Sequence, residues 1–194
     1  GTGARPAKDG LSAVGFPSGV AGVPAEVIES LSPVVMKRRE LRPNSGGPGE
    51  WRGGLGQLTE FTRRGAGRWS VSSIADRTVY AAPGLRGGHS GATGEVTLDD
   101  GTPLNAKALK DLQERDVVHV NLPGGGGYGD PFARDPEKVR WDVVEGYVTP
   151  DEAEKKYGVA VRYSGNPDDL VKLDKHWTVD ETRTAALRSD APQR

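Results

Sequence analysis

The chain has no cysteine among its 194 residues. That removes any disulfide framework, any thiolate zinc site and any thiol nucleophile, and it fits a reducing, cytoplasmic setting. No excess of either charge sign exists: formal net charge is -1, so the composition offers nothing to nucleic acid or to an anionic membrane surface. No apolar run approaches the ~20 residues that a membrane span needs, and no signal peptide is read at the amino end. Histidine is scarce, with three residues, none in metal-ligand spacing. No H-x-x-x-H pair occurs. Gly88-His89-Ser90-Gly91 is not a nucleophile elbow. An amino-terminal nucleophile would need Thr, Ser or Cys first, which Gly1 does not supply if it is the true terminus, although Thr2 follows it.

Glycine and proline are abundant instead. Twenty-eight glycines and fourteen prolines make about a fifth of the chain, against an ordinary ~12%. They fall at turns throughout, which predicts many short strands joined by tight loops. The first residue is Gly1, and a piece of something longer is the simplest reading.

The stretch Leu122-Pro123-Gly124-Gly125-Gly126-Gly127-Tyr128-Gly129-Asp130-Pro131 is the organising feature. Four glycines in a row imply backbone dihedrals closed to other residues, or a backbone lying against another surface with no side chain between. A tight turn packed under the next helix and an anion-binding nest are both open to such a loop. It is not a P-loop, because no Gly-Lys-Ser/Thr follows. The dinucleotide spacing can be forced onto Gly124, Gly126 and Gly129, but Asp130-Pro131 interrupts helix entry.

Strands are predicted at residues 11–16, 34–41, 55–63, 68–74, 95–98 and 116–122, with Asp100-Gly101 as a hairpin turn. Residues 24–31 read as a short helical turn or a strand, the helix favoured by Pro24 near its first turn. This is an all-β pattern of sandwich or barrel type up to the glycine loop. The period then changes. Asp135 with Pro136, and Thr149-Pro150 with Glu152, are two capped helix starts, and Gly146 and Gly158 are their stops. Residues 159–161 suit a closing strand, and 170–176 one more helix or strand. From Ser164 the chain is polar, and from Ala185 it is expected to be mobile. The fold class is thus mainly β with a C-terminal helical appendage, α+β overall, with units at 1–131, 132–163 and 164–194.

Candidate site residues are few. Arg5, Lys8 and Asp9 form a compact charged group between glycines, suited to an anion or carboxylate, or simply a solvated loop. His89 lies among glycines that let a ligand approach. His119 alternates with valines and reads as a strand residue that either faces outward or is satisfied by a neighbour. Arg42 and Arg52 flank a loop that guanidinium groups can tie down through carbonyls. Trp51, Trp69 and Trp141 read as core or interface aromatics. No complete catalytic set is present, and no metal ligand is assigned.

Several stretches in order resemble one family. They are Gly3-Ala4-Arg5-Pro6 with Lys8-Asp9-Gly10; Pro24-Ala25-Glu26-Val27-Ile28-Glu29; Glu40-Leu41-Arg42-Pro43-Asn44-Ser45-Gly46-Gly47-Pro48-Gly49; and Arg52-Gly53-Gly54-Leu55-Gly56. Pro123 to Pro131, Asp135-Pro136-Glu137, Gly146-Tyr147-Val148-Thr149 and Tyr157-Gly158-Val159 complete the set. Together they resemble the C-terminal part of the hydantoinase B/oxoprolinase family, the B-type subunits of ATP-dependent cyclic-amide hydrolases, with relatives in acetone and acetophenone carboxylases. Family members usually carry aspartate where Asn44 stands, and a Gly-Asp turn where this chain has Arg115-Asp116. No match is seen after Tyr163.

The resemblance implies a larger hetero-oligomer. An A-type subunit would use ATP and a divalent metal to phosphorylate the substrate, turning a poor amide electrophile into one that water attacks. The N-terminal remainder of the B-type subunit would hold a metal. This chain alone would bind no cofactor. The motif residues that carry over are Arg5, Lys8, Asp9 and the loop containing Gly124, Gly125, Gly126, Gly127, Tyr128 and Asp130, either lining a site or shaping one. Three functions are therefore expected as alternatives: part of a lactam, hydantoin or 5-oxoproline hydrolase; part of a ketone carboxylase; or a non-catalytic assembly module.

Overall fold

The computed structural model describes residues 1–15, 22–105 and 107–189. Its class is α+β. A four-stranded antiparallel sheet is built from β1 (Val34–Leu41), β2 (Gln57–Arg63), β4 (Glu95–Leu98) and β6 (Val118–Asn121), in the order β1-β2-β6-β4. A second antiparallel pair joins β3 (Trp69–Ser72) to β5 (Leu109–Leu112). A third joins β7 (Val161–Tyr163) to β8 (Trp177–Val179). Among the described residues there are four α-helices: α1 (Ala25–Leu31), α2 (Pro136–Val144), α3 (Pro150–Tyr157) and α4 (Glu181–Ser189).

The main sheet owes its register to alternation. Val118 is fully buried with Val96 and Leu112, and Phe61, Trp69, Val71 and Val120 pack around them. Phe61 meets Trp69 edge to face at 6.2 Å, a favoured aromatic geometry. The opposite face is polar. Arg38, Glu60 and His119 stand side by side on β1, β2 and β6. His119 contacts Glu60 at 3.3 Å through Nδ1 and Asp99 at 3.1 Å through Nε2, so this histidine is satisfied by neighbours. β1 alternates imperfectly because its pairing shifts between Met36 and Arg38, leaving Lys37 as a bulge.

The helical part has its own core of Val139, Val143, Val148, Ala153, Tyr157, Val159 and Val161. The caps form as the sequence predicts. The Asp135 carboxylate accepts from Glu137 N–H, and Thr149 Oγ1 accepts from Glu152 N–H. Gly158 ends α3 at φ 61, the left-handed conformation that glycine adopts without penalty.

Four expectations need correction. Residues 11–15 form a turn rather than a strand (Phe16 lies outside the described residues), because Leu11 and Ala13 bond back to Thr2 and Leu55 one at a time. β5 was not predicted: Leu-Lys-Asp-Leu has one buried side chain, Leu112, and pairing with β3 alone makes it a strand. The polar tail is not a tail. Trp177 and Val179 of β8 pack on the helical core, and Thr184 of α4 is buried. Finally, α4 was not among the predicted elements, and residues 190–194 lie outside the described residues. Sparse apolar residues sufficed here because the core they join was already built by α2 and α3.

Candidate functional site

Residues 123–129 run through the middle of three other segments, 1–4, 45–54 and 82–92, the last of which turns at Arg86 and Gly87. Gly125 N–H donates to Gly54 O at 2.9 Å and Gly47 N–H donates to Gly125 O at 2.8 Å. Ala4 N–H donates to Gly126 O at 2.9 Å. Gly124 N–H reaches Ala92 O at 3.1 Å, and Gly127 N–H reaches His89 O at 2.9 Å. A β-strand bonds on two sides; this segment bonds to three neighbours.

Glycine is what allows it. A Cβ at Gly124 would stand 1.7 Å from Ser45 O, at Gly125 1.9 Å from Thr2 O, at Gly126 2.0 Å from Pro83 O, and at Gly127 2.1 Å from Pro48 O. The facing segment therefore repeats after three residues. That is the period of an extended threefold helix, not the period of two of a strand. None of these four glycines has positive φ. Of the two alternatives open for the glycine run, close backbone approach holds and special dihedrals do not. Nor is the run a tight turn: it is the axis of a backbone bundle.

The bundle is tied to the helical part by a buried charge cluster. Arg134, 2% exposed, holds Asp9 in a two-pronged grip, Nη1 to Oδ1 and Nη2 to Oδ2, both at 2.8 Å. Its Nη2 also donates to Asp142 Oδ2 at 2.9 Å. Arg52 Nε donates to Asp142 Oδ1 at 3.2 Å, and Arg52 N–H donates to Asp9 Oδ1 at 2.7 Å. Two guanidinium groups thus balance two carboxylates, which is what burial of ions requires. Arg52 also stacks over Tyr147 at 5.1 Å. Burial opposes the Asp9 carboxylate, but the bonds and charge of Arg134 and the Arg52 amide hold its pKa below the usual value. Burial wins at Asp142 and pushes it up despite Arg52 and Arg134. Burial also raises Tyr157, and the charge of Asp142 adds to it. A cleft of about 470 Å³ opens over the cluster, with Lys138, Trp141 and Tyr147 on its walls.

Arg5 and Lys8 are exposed on a turn closed by their own reciprocal backbone bonds at 3.0 Å, with Ala7 at φ 63 between them. Asp9 points away from them into the charge cluster. His89 is half-buried in the bundle, where its N–H donates to Pro48 O at 2.7 Å. The structure joins Asp9 to Arg134, Asp142 and Arg52, residues that sequence reasoning had not grouped. One signal was available: Asp142 lies three residues from Val139 and beside Val143, a carboxylate on the buried stripe of α2. Arg42 and Arg52 do bind carbonyls, of Thr93 and Gly53. Trp69 joins the core, whereas Trp141 is half exposed.

A family model described as hydantoinase B/oxoprolinase matches residues 1–131. The chain belongs to the hydantoinase B/oxoprolinase family. Among relatives, it is 35% identical over 173 residues to the B-type subunit of a putative D-/L-hydantoinase from a Pseudomonas species, covering 86% of this chain and 29% of that protein. It is 31% identical over 229 residues to the acetone carboxylase alpha subunit of Xanthobacter autotrophicus, covering 97% of this chain and 28% of the relative. Among solved structures, the ATP-dependent caprolactamase from Pseudomonas jessenii matches with a TM-score of 0.74 and 30% identity, over 97% of this chain and 32% of that one. This hydantoinase B-family chain therefore spans less than a third of the length of these relatives. The acetone carboxylase alignment and the caprolactamase structural match both extend past Tyr163, which corrects the expectation that the resemblance ends there.

Proposed function

We propose that this chain forms the glycine-bundle portion of a B-type subunit in an ATP-dependent cyclic-amide hydrolase acting on a lactam, hydantoin or 5-oxoproline ring. The observation that carries the reading is the match to the hydantoinase B/oxoprolinase model over residues 1–131, supported by the fit of nearly the whole chain to a caprolactamase. The bundle serves as a rigid frame. Arg5 and Lys8, exposed at the end of its first segment, are presented to an anionic group of substrate or partner, with His89 a further candidate and Asp9 holding the frame closed.

Among the described residues no three or more His, Asp or Glu side chains are grouped to hold a metal ion. In this reading ATP and the divalent metal belong to the A-type subunit and to the rest of the B-type subunit, in a cytoplasmic hetero-oligomer. Among the described residues no helix is long and apolar enough to cross a membrane.

A ketone carboxylase is the second reading, favoured by the acetone carboxylase structure, which matches with a TM-score of 0.74 and 26% identity. A non-catalytic assembly module is the third, favoured by the chemistry of the buried cluster, which balances charge without offering a nucleophile and base. The test is ATP hydrolysis by the assembly purified through this chain. Stimulation by caprolactam, hydantoin or 5-oxoproline supports the first reading. Stimulation only by acetone or acetophenone with bicarbonate replaces it with the second. An assembly inert to all, yet dissociating when this chain is removed, leaves the third.

A further inference from the structure

Two turns close at the same end of the glycine bundle, and each carries cations. Residues 5–8 follow Ala4, whose N–H donates to Gly126 O at 2.9 Å. Residues 85–88 begin at Leu85, whose N–H donates to Gly127 O at 2.9 Å and whose carbonyl accepts from Gly129 N–H at 3.0 Å. Gly88 N–H donates back to Leu85 O at 3.0 Å, as Lys8 N–H does to Arg5 O. The two turns thus spring from consecutive residues of one segment, Gly126 and Gly127. Successive carbonyls of an extended threefold helix point about 120° apart, so the turns stand on adjacent sides of that axis.

Both turns hold a side chain where glycine would be relaxed. Ala7 has φ 63, Arg86 has φ 53 and Gly87 has φ 93. Positive φ at both central positions is the type I′ pattern, which favours Gly, Asn and Asp. An arginine there is strained, and the turn gains nothing from it. Charge indicates what the guanidinium is for. Arg5, Lys8 and Arg86 are exposed. Among the described residues none of the three forms an ion pair. Asp9, next to Lys8, is gripped by Arg134. The Asp130 carboxylate accepts from Phe132 N–H at 2.9 Å, and Glu50 lies against Gly129. The backbones beneath are too closely packed to let the turns move apart. Three cations without a counter-charge on such a frame fit one small oxyanion. Arginine grips one with two parallel N–H bonds, and lysine adds a point charge. Resting on the reading that Arg5 and Lys8 face an anionic group, we propose that Arg86 is the third contact to it, and that the group is a carboxylate or phosphoryl group of a small molecule held between the two turns.

The test uses the assembly purified through this chain. Phenylglyoxal modifies accessible guanidinium groups, and peptide mass spectrometry times the reaction at Arg5, at Arg86 and at Arg115, an exposed arginine outside the bundle. Acetate and inorganic phosphate are titrated separately. At saturation the rates at Arg5 and Arg86 should fall together by at least about fivefold, with one half-saturating concentration, while Arg115 reacts as before. Protection by phosphate alone makes the ligand a phosphoryl group, and by acetate alone a carboxylate. In Arg86→Gly the half-saturating concentration for protecting Arg5 should rise at least about tenfold, for the loss of one charge-assisted contact. Its urea midpoint should stay at or above that of the wild type, because the strain is relieved. Ala7→Gly relieves the other turn and removes no charge, so its protection should be unchanged. Protection of Arg5 with Arg86 still reactive overturns the assignment of Arg86 and leaves the Arg5–Lys8 reading standing. No protection at either arginine, or equal slowing at Arg115, overturns both. A midpoint below wild type in Arg86→Gly, or equal loss of protection in Ala7→Gly, makes Arg86 a structural part of its turn and overturns the proposal. So do arginines already unreactive before any anion is added, which would mark a partner contact.

Discussion

At the residue scale, the glycines divide into two kinds that differ in what a methyl group would meet. Gly125 faces the Thr2 carbonyl at 1.9 Å, and the atoms it would displace are backbone. Gly146 has φ 71 and open space around it. Gly3 has a single contact at 3.8 Å and no positive φ. Gly125→Ala should therefore cost at least about 3 kcal/mol or prevent folding, because backbone cannot yield as a flexible side chain can. Gly146→Ala should cost about 1 kcal/mol for the left-handed conformation, and Gly3→Ala should change stability by under about 0.5 kcal/mol. Urea midpoints rank the three; a Gly125→Ala protein as stable as Gly3→Ala would refute the bundle. Asp9 gives a pH prediction. Its folded pKa lies below the ordinary 3.8, so the stability it contributes is full above that value and is lost as pH falls through the folded pKa. The stability gap between wild type and Asp9→Asn, measured by urea titration, should thus be constant near neutrality and close as pH falls below about 4. A gap that widens in acid would contradict the assignment.

At the scale of elements, α4 shows how little apolar surface a packed helix needs. Thr184 Oγ1 accepts from Ala160 N–H at 3.1 Å in a buried setting, and Asp180 N–H donates to Ala160 O at 2.9 Å. Arg188 Nη2 donates to Arg134 O at 2.6 Å, linking the last helix to the residue that grips Asp9. Thr184→Val keeps the shape and removes the acceptor, leaving a buried N–H without its partner. The expected loss is about 1–3 kcal/mol. Equilibrium unfolding measures it, and hydrogen exchange at Ala160 should quicken with it. A neutral Thr184→Val with unchanged exchange at Ala160 would show that the helix is held by other contacts. The helices α2 and α3 were legible because their caps are local: Asp135-Pro136 and Thr149-Pro150 state their own starts. β5 and α4 were not, because each is held by a partner distant in sequence.

At the scale of the whole molecule, the bundle gathers residues 1–4, 45–54, 82–92 and 123–129, and the bonds that join these segments to one another run between residues distant in sequence. Their bonds form only after long loops close, which is entropically costly before any contact rewards it. Refolding is therefore expected on the millisecond-to-second scale of about 10⁻³–1 s typical of non-local β topologies. Stopped-flow tryptophan fluorescence would show it, and a microsecond phase carrying the whole amplitude would refute it. What the sequence by itself determined was what neighbours along the chain can state: capped helices, strands of the main sheet, the glycine run, and the motif order that resembles the hydantoinase B/oxoprolinase family. It also left close backbone approach as one meaning of four consecutive glycines. The tertiary structure alone decided that three other segments surround them, since a glycine records the absence of a side chain and not the identity of the backbone that fills the space. It likewise decided that Asp9, grouped in sequence with Arg5 and Lys8, belongs to Arg134 and Asp142. A charge chooses its partner by distance in space, and burial selects the pair that leaves no ion uncompensated.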